Sequence, residues 1–407
     1  MHIITLTELQ YNNYSNIHSK RNYKQTIEYA KLMKKNGYNV LYLGLIDNKN
    51  NVVAATLILE YNINKFKVGY APNGFLLDFD NKDLLEKFTI ELKRYLQDLN
   101  FIYLSLDPNF AYRVFDKNNI VLKCYPNILD NMKNLGYIHH GFNNDFNRFN
   151  AILHVNNSLE DTYNNFNRNI KRKITDGKLM GITFCKENNI DKFFELISKK
   201  KKKNIDYYRN LLEYFNNDNC TFEIYFAKLD SKTYMDNCRD MLTKEKNRNY
   251  QYQEDIRNVN IPTTKRLLDK KMASDKLINK YQKKVIESSN IYAKYPNELI
   301  VATCAIIRTN NNIYFIEEGY EEKLRNIYSI SLLKWNIIQK YYNEGYKNFN
   351  LGNIPPLKNK DNKFKGIYLS KSGFNPRIYE TCGIFDLVIN KYIYTILKKL
   401  PQKNNQH

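Results

Sequence analysis

The chain has 407 residues, of which 43% are hydrophobic, so it can bury more than one core of ordinary domain size. It carries 63 lysines and arginines against 42 acidic residues, which gives a net charge of +21. A surplus of this size favours a polyanionic partner, such as a nucleic acid or an anionic membrane surface, although a biased genome composition would give the same count.

Several classes of protein are excluded by what the sequence lacks. The six cysteines are scattered without a Cys-x-x-Cys pair or a histidine at ligand spacing, which argues against a zinc site and a disulfide framework. The opening MHIITLTELQ lacks the basic and apolar regions of a signal peptide, and the longest apolar runs are too short to span a bilayer. The sequence therefore predicts a cytoplasmic protein.

The first half of the chain alternates between strand and helix patterns. Its predicted elements are strands at 38–47, 51–61 and 65–74, a helix at about 82–98 and a strand at 101–107. The polar residues 48–50 predict a hairpin turn between the first two strands. Pro108 ends the last strand.

The same order of elements returns in the second half. Its predicted elements are strands at 299–307 and 313–320, a helix around 330–338 and a strand at 346–352. The segments VVAATLILEY and LIVATCAII resemble each other, so internal duplication predicts two similar domains. Each unit, a hairpin followed by a helix and a strand, resembles the core of the fold shared by GNAT-type N-acetyltransferases.

Two further segments lie between and within these units. Ser158 and Asp161 form a capping-box pattern before a basic helix at 159–177, which Gly177 is expected to end. An insertion at about 230–290 has apolar residues at helical spacing, and a break at 258–262 divides it, so it predicts an arm of two antiparallel helices. The expected fold class is α/β, of the α+β kind, with two tandem GNAT-like domains and this inserted arm.

Common catalytic signatures are missing. The sequence has no phosphate-binding GxxxxGK[ST] or GxGxxG loop, no GxSxG nucleophile elbow and no HExxH metal motif. Neither repeated unit contains the glycine-rich loop with which acetyltransferases hold the pyrophosphate of coenzyme A. An acyltransferase fold without that loop needs another acyl donor.

A set of ordered motifs resembles the FemABX family of peptidoglycan-bridge aminoacyltransferases, closest to the FemA type with its helical arm. The motifs are Gln25-Thr26, Gly37-Tyr38, Tyr70-Ala71-Pro72-Asn73-Gly74, Asp78, Asp107-Pro108, the segment 132–142, Arg168-Asn169 and the turn from Lys371 to Asn375. The resemblance covers nearly the whole chain. It implies a first domain at 1–150 that is completed by residues 381–407, a second domain at 151–380, and the arm at 230–290 within the second domain.

The resemblance also implies an activity. The enzyme is expected to transfer amino acids from aminoacyl-tRNA, as co-substrate, to the stem peptide of a lipid-linked peptidoglycan precursor. Because the aminoacyl ester is already activated, the resemblance implies no cofactor and no metal. It implies peripheral contact with the inner membrane face, and it leaves open association with a second copy or with related family members.

Four residues are carried over from the family to positions in this sequence. Lys371 matches the proposed catalytic lysine, whose ammonium would stabilise the oxyanion or relay a proton; the alternative is a surface lysine in a turn. Arg168 matches a position that binds the precursor, because a guanidinium suits a pyrophosphate; the alternative is an arginine on a helix surface. Tyr208 and Arg325 are weaker substrate-binding candidates, and Tyr208 fits a core position equally well.

Two other functions stay open at this point. One is an N-acyltransferase that uses a different donor, against which the missing coenzyme A loop counts. The other is a catalytically silent member of the family, with an RNA-binding or immunity-type role. Neither the donated amino acid nor the accepting stem residue follows from the sequence, because pocket side chains determine that choice.

Overall fold

The computed structural model describes residues 1–142, 148–197, 203–258, 264–327, 329–355 and 364–399. Its strands, in chain order, are β1 (His2–Thr5), β2 (Asn39–Ile46), β3 (Val52–Ile63), β4 (Phe66–Ala71), β5 (Phe101–Leu106), β6 (Ala111–Phe115), β7 (Val121–Cys124), β8 (Tyr137–His139), β9 (Phe149–His154), β10 (Ile182–Lys186), β11 (Asn216–Asn217), β12 (Cys220–Leu229), β13 (Leu299–Thr309), β14 (Asn312–Tyr320), β15 (Asn348–Ile354), β16 (Arg377–Thr381) and β17 (Phe385–Val388). Its α-helices are α1 (Glu8–Ile17), α2 (Ile27–Lys35), α3 (Lys82–Asp98), α4 (Pro126–Asn134), α5 (Leu159–Asn165), α6 (Arg168–Lys178), α7 (Ile190–Ile197), α8 (Ile205–Tyr214), α9 (Ser231–Arg257), α10 (Lys265–Lys294), α11 (Ser329–Asn343), α12 (Lys365–Ser372) and α13 (Lys391–Lys399).

Two mixed sheets with the same pattern of strand directions form the framework. Over the described residues, the first sheet has the order β1-β2-β3-β4-β5-β17-β8 and the second has the order β10-β12-β13-β14-β15-β9-β16-β6-β7. In both sheets, three antiparallel pairings are followed by one parallel pairing and then by antiparallel pairings, two in the first sheet and four in the second. Helices α3 and α11 connect the parallel pairs β4/β5 and β14/β15, since parallel strands need a crossover. The predicted fold class is confirmed.

The crossover helix α3 forms because its sequence combines a cap with an apolar stripe. In α3 the side chain of Asn81 accepts a hydrogen bond from the Leu84 N–H, which satisfies one free donor of the first turn. The residues of its buried face recur at helical spacing and include Leu85, Phe88 and Leu92. The stripe that the sequence predicts is therefore the face that packs on the first sheet.

The chain passes between the two sheets more than once. Strand β17, near the end of the chain, lies in the first sheet between β5 and β8. Strands β6 and β7 precede residue 150, yet they extend the second sheet beyond β16. The domain limits drawn from the sequence stay a prediction.

Helices α9 and α10 form the arm and run antiparallel. The hydroxyl of Ser231, at the start of α9, donates to the carbonyl of Tyr295 just after α10. Further along the arm, the Ser274 hydroxyl donates to Glu245 over 2.6 Å. The predicted break falls at the end of α9, since Asn258 is its C-cap, and its remaining residues lie outside the described part of the chain.

The basic helix predicted at 159–177 is divided into α5 and α6. Phe166 leaves helical geometry and packs its ring edge-on against Trp335 and Phe374, with both centroids 5.1 Å away. Asn167 then caps α6, because its side-chain oxygen accepts from the Ile170 N–H over 2.8 Å. The division places Arg168 in the first turn of a new helix.

A shared hydrophobic cluster joins the two halves of the molecule. Leu32 of α2 is buried with Phe193 of α7 and with Tyr208 and Leu211 of α8. Helices α2 and α8 are in contact, so the face of α8 that carries Tyr208 turns toward the first half of the chain. Tyr208 is therefore a core residue, although its hydroxyl has a further role at the site described below.

Candidate active site

The centre of the second sheet opens where its parallel pair separates. Strands β14 and β15 pair from Asn312 and Asn348 as far as Tyr314 and Asn350, and the described strands are not paired with each other beyond that point. Both strands also contain a β-bulge just past the separation, one beside β13 and one beside β9. Bulges re-aim side chains and backbone groups, and they are common next to active sites.

Lys371 occupies this opening. It lies in the last turn of α12, and its Nζ donates a hydrogen bond to the carbonyl of Asn353 on β15 over 2.9 Å. The preceding residue, Gly352, has φ +84°, and a Cβ at this position would lie 2.9 Å from the Lys371 Nζ. The backbone conformation favours glycine here, and the Lys371 ammonium occupies the space that a Cβ would fill.

Two acidic residues of β14 line the other side of the opening. The bulge at Ile316 sets Glu317 opposite Ala305 and Glu318 opposite Cys304 on β13. Neighbouring residues of a strand point to opposite faces of the sheet. Accordingly, the Tyr208 hydroxyl of α8 donates to Glu317 over 3.3 Å on one face, whereas Glu318 pairs with Lys334 of α11 on the other.

Burial and the neighbouring charges determine the protonation of this cluster. The pKa of Lys371 is lowered to about 8, chiefly by burial and in part by the positive charge of Lys334, whereas Glu318 and Glu317 act in the opposite direction. Burial also raises the pKa of Glu317, and the negative charge of Glu318 adds to that effect. The site therefore combines an ammonium and a carboxylate that both titrate closer to neutrality than usual.

Lys334 belongs to the same cluster and is almost entirely buried. Its side chain is 2% exposed, against 33% for its partner Glu318. A buried ammonium is stable only when a counter-charge compensates for its lost hydration, and Glu318 supplies that charge. Burial raises the pKa of the neighbouring Cys304 thiol, so Cys304 is protonated and is not a nucleophile.

The structure brings two of the four predicted site residues to this opening. Lys371 lies within it and Tyr208 reaches it through Glu317, as described above. Arg325 lies in the short helical segment Glu322–Ile327, and its side chain is outside the described part of the structure. The predicted turn around Lys371 is instead the helix α12, which has no fully buried residue among its eight.

Arg168 directly follows Asn167, which lines a cleft beside this site. Its side chain is exposed at the start of α6, where the preceding Asn167 N–H donates to the carbonyl of Gly373 over 2.9 Å. The cleft has a volume of about 430 Å³ and is lined by Lys117, Asn118, Asn164, Asn165, Phe166, Asn167, Tyr368, Ser372 and Asn375. The start of α6 and the end of α12 are thus in direct contact, and Arg168 and Lys371 each directly adjoin a lining residue of the cleft, Asn167 and Ser372.

Sequence reasoning missed Glu317, Glu318 and Lys334. Each is a charged residue inside an otherwise apolar segment, either strand 313–320 or helix 329–343. Charged residues are rarely buried unless they are paired, so a lysine in the middle of an apolar helix indicates a buried ion pair. Which acid it meets depends on the bulge in β14, and that bulge has no signature in the sequence.

The fold and the site define a class of protein. A repeated unit of hairpin, crossover helix and parallel strand, with a partly buried lysine beside carboxylates where the parallel pair of the second sheet separates, is the framework of an acyl-transferring enzyme. Such a site offers hydrogen-bond donation to an oxyanion and proton transfer near neutral pH.

Comparison with known proteins identifies the family. A model of the FemAB family matches residues 6–402, so the chain belongs to the FemAB family. Aminoacyltransferase FemA from Staphylococcus aureus strain MW2 is 24% identical over 429 residues, which cover 99% of this chain and 100% of that protein. The same protein from strain N315 is also 24% identical with the same coverage. The crystal structure of FemX superposes with a TM-score of 0.75 at 16% identity, over 98% of this chain and 100% of that one.

These findings confirm the predicted family and the predicted kind of enzyme, an aminoacyltransferase. Within the described residues, no group of three or more His, Cys, Asp or Glu side chains is arranged to hold a metal ion. None of the described helices combines the length and the apolar character that a membrane span requires. The expectation of catalysis without metal or cofactor stays a prediction.

Proposed function

We propose that this enzyme transfers an amino acid from aminoacyl-tRNA to an amine on the stem peptide of a lipid-linked peptidoglycan precursor. The observation that carries the proposal is the Lys371 ammonium, held in the splay of the second sheet by the Asn353 carbonyl. An aminoacyl ester is already activated, so the protein has to orient amine and ester and stabilise the tetrahedral intermediate. No metal and no coenzyme A enter this scheme.

The reaction balances with the groups at hand. The neutral amine of the acceptor attacks the ester carbonyl carbon, a C–N bond forms, and the carbonyl electrons move to oxygen. Lys371 makes one hydrogen bond to the described residues, and a lysine ammonium has three donors, so donors are available for that oxyanion. When the intermediate collapses, the C–O bond to the ribose breaks and the ribose oxygen takes up the proton that the amine loses.

We assign Glu317 to accept a proton from the acceptor. An acceptor amine arrives mostly as an ammonium and has to lose a proton before it can attack. Burial raises the pKa of Glu317, which makes this carboxylate a stronger base than an exposed one. The Tyr208 hydroxyl, which donates to Glu317, fixes its orientation.

The net charge and the position of Arg168 support the proposal that both substrates are polyanions. Transfer RNA and a pyrophosphate-linked lipid are both polyanions, and a protein of net charge +21 attracts both. The exposed Arg168 guanidinium, at a helix N-terminus beside the cleft, suits a pyrophosphate through charge and bidentate hydrogen bonds. We assign the cleft to the precursor and expect peripheral contact with the inner membrane face.

Transfer of radiolabelled amino acids from a mixed pool of charged tRNA to a purified lipid-linked precursor tests the proposal. Lys371→Met keeps most of the bulk of the side chain and removes the charge. It should lower kcat about 100-fold, the effect typical of losing one oxyanion donor, with little change in KM. Lys178→Met is the matched control, because Lys178 is an exposed lysine in the last turn of α6.

Three outcomes separate the open alternatives. Transfer from tRNA that depends on Lys371 supports the proposal. Transfer from another acyl donor, with none from tRNA, would identify an N-acyltransferase of a different kind. Binding of tRNA without transfer to any acceptor would indicate a silent family member.

A further inference from the structure

Three consecutive apolar residues are exposed on a sheet edge next to the cleft. Ile120, Val121 and Leu122 are 59%, 47% and 48% exposed. They continue from the turn at 116–120 into β7, which pairs with β6 on one side and is the last strand of the second sheet among the described residues. Exposed apolar residues on an edge strand are usually avoided in soluble proteins, so a run of three calls for a partner.

Helix α12 adds two more exposed apolar residues. Ile367 and Leu369 are 38% and 46% exposed. Two other residues of this helix hold it in place. Lys371 donates its hydrogen bond to the carbonyl of Asn353, and Tyr368 is partly buried against the core of the second sheet.

Both surfaces border the same cleft. The hairpin contributes Lys117 and Asn118 to its lining, and α12 contributes Tyr368 and Ser372. Exposed lysines accompany the apolar residues, since Lys117, Lys123 and Lys365 all lie in these two short segments. We call residues 117–123 and 365–369 together the rim of the cleft.

We propose that the rim docks the enzyme on an anionic bilayer, with the cleft turned toward the lipid headgroups. The inference rests on the proposed function, because it adds the route by which a lipid-linked acceptor reaches Lys371. Apolar side chains flanked by lysines are typical of surfaces that lie at a bilayer interface. Few apolar residues are involved, so the contact is reversible and lets the enzyme leave after transfer.

Charge decides between a bilayer and a second copy of the chain. A twofold contact of the rim with itself would bring the same surface of both copies together. Lys117, Lys123 and Lys365 would then face like charges, which opposes association. An anionic bilayer instead complements all three lysines and also accommodates the apolar residues.

Sedimentation with lipid vesicles tests the rim without any substrate. The full chain is mixed with vesicles of phosphatidylcholine, either alone or with one third phosphatidylglycerol. The triple variant Ile120→Ser, Leu122→Ser, Ile367→Ser should bind the anionic vesicles at least about tenfold more weakly than the parent protein. Because all three residues are exposed, the fold should be unaffected, and unchanged circular dichroism and thermal unfolding verify this.

A matched control removes three exposed apolar residues from the arm. Leu268→Ser, Met272→Ser and Ile286→Ser change side chains that are 44%, 59% and 63% exposed. This variant should bind anionic vesicles like the parent protein. Equal loss of binding in both variants, or no loss in the rim variant, overturns the inference.

Transfer assays with two acceptors separate the inference from the proposed function. With the lipid-linked precursor in vesicles, the rim variant should show a raised KM, whereas with a water-soluble precursor that lacks the lipid its kcat and KM should match the parent. If the parent protein transfers nothing to either acceptor, the proposed function is contradicted. The vesicle-binding result then decides by itself whether the rim docks on a bilayer. A concentration-dependent dimer that the rim substitutions dissociate would show that the rim binds a second copy of the chain. That result would overturn the proposal that the rim docks on a bilayer.

Discussion

Replacing Lys334 by methionine is expected to shift the pH dependence of catalysis toward higher pH. If the ammonium form of Lys371 stabilises the oxyanion, kcat falls as pH rises through the pKa of Lys371, which is about 8. The positive charge of Lys334 is one of the causes that lower this pKa. Its removal should therefore raise the pKa of Lys371 and preserve activity at higher pH.

The size of the effect follows from the protonated fraction. A lysine with a pKa of about 8 is roughly one-tenth protonated at pH 9, whereas at its ordinary value of 10.5 it would be almost fully protonated. Loss of one neighbouring like charge typically moves a buried group on the order of one pH unit. At pH 9 the active fraction of the Lys334→Met enzyme should then be several times that of the parent enzyme.

Glu318→Gln is the counterpart within the same ion pair. The negative charge of Glu318 raises the pKa of Lys371, so its removal should shift the fall in kcat toward lower pH. A structural role of the Glu318–Lys334 pair would instead reduce activity in both variants without moving the profile. Lys334→Arg keeps the charge and should leave the profile where it is.

The assay is kcat against pH from 6 to 10 with a saturating water-soluble acceptor. Among the described residues, the charged groups that shift the pKa of Lys371 are Glu317 and Glu318 of β14 and Lys334 of α11, while the thiol of Cys304 on β13 is protonated. Deprotonation of the acceptor amine produces a rising limb, which the substitutions should not move. Shifts in the same direction for Lys334→Met and Glu318→Gln would refute the reasoning, and a kcat that only rises with pH would make Lys371 a base.

Two further predictions concern single residues at the site. Gly352→Ala adds a methyl group 2.9 Å from the Lys371 Nζ at a φ of +84°, so it should lower kcat and change the position of its fall with pH. Arg168→Ala should raise the KM for the lipid-linked precursor with little change in kcat, and Arg172→Ala, one turn further along the same exposed face, should not. An unchanged KM in Arg168→Ala would reject its assignment to the pyrophosphate.

Periodic patterns predicted the parts of the fold that are local in sequence. The hairpins β2/β3 and β13/β14 and the crossover helices follow from alternation, turn residues and apolar stripes, which each segment carries within itself. The two-helix arm could be predicted for the same reason. The positions of β17 in the first sheet and of β6 and β7 in the second depend on pairing between distant segments, and the local pattern does not specify that pairing.

The helix α12 shows where local patterns are insufficient. A helix is predicted from sequence by a stripe of residues that will be buried, and α12 has no fully buried residue. The sequence around Lys371 therefore indicated a turn and not a helix. Contacts from other elements hold it instead, including Asn353, which accepts from Lys371, and Ile170 of α6. A Cβ at Gly373 would lie 2.4 Å from Ile170, so this glycine permits the contact between α6 and α12. Lys371 itself was predicted, but only through its resemblance to a family position.

The two repeated units differ in what they hold at the end of the parallel pair. In the first sheet, Asp107 follows β5, and it accepts hydrogen bonds from the Tyr70 hydroxyl over 2.9 Å and from the Asn73 N–H over 2.8 Å. Burial raises the pKa of this carboxyl group, and its oxygens are occupied by partners from the same unit. A carboxylate satisfied in this way offers no donor to an oxyanion, whereas the Lys371 ammonium in the second sheet makes one hydrogen bond to the described residues and has three donors. The duplication therefore supplies two related frameworks, which hold a hydrogen-bonded carboxylate in the first sheet and the Lys371 ammonium in the second.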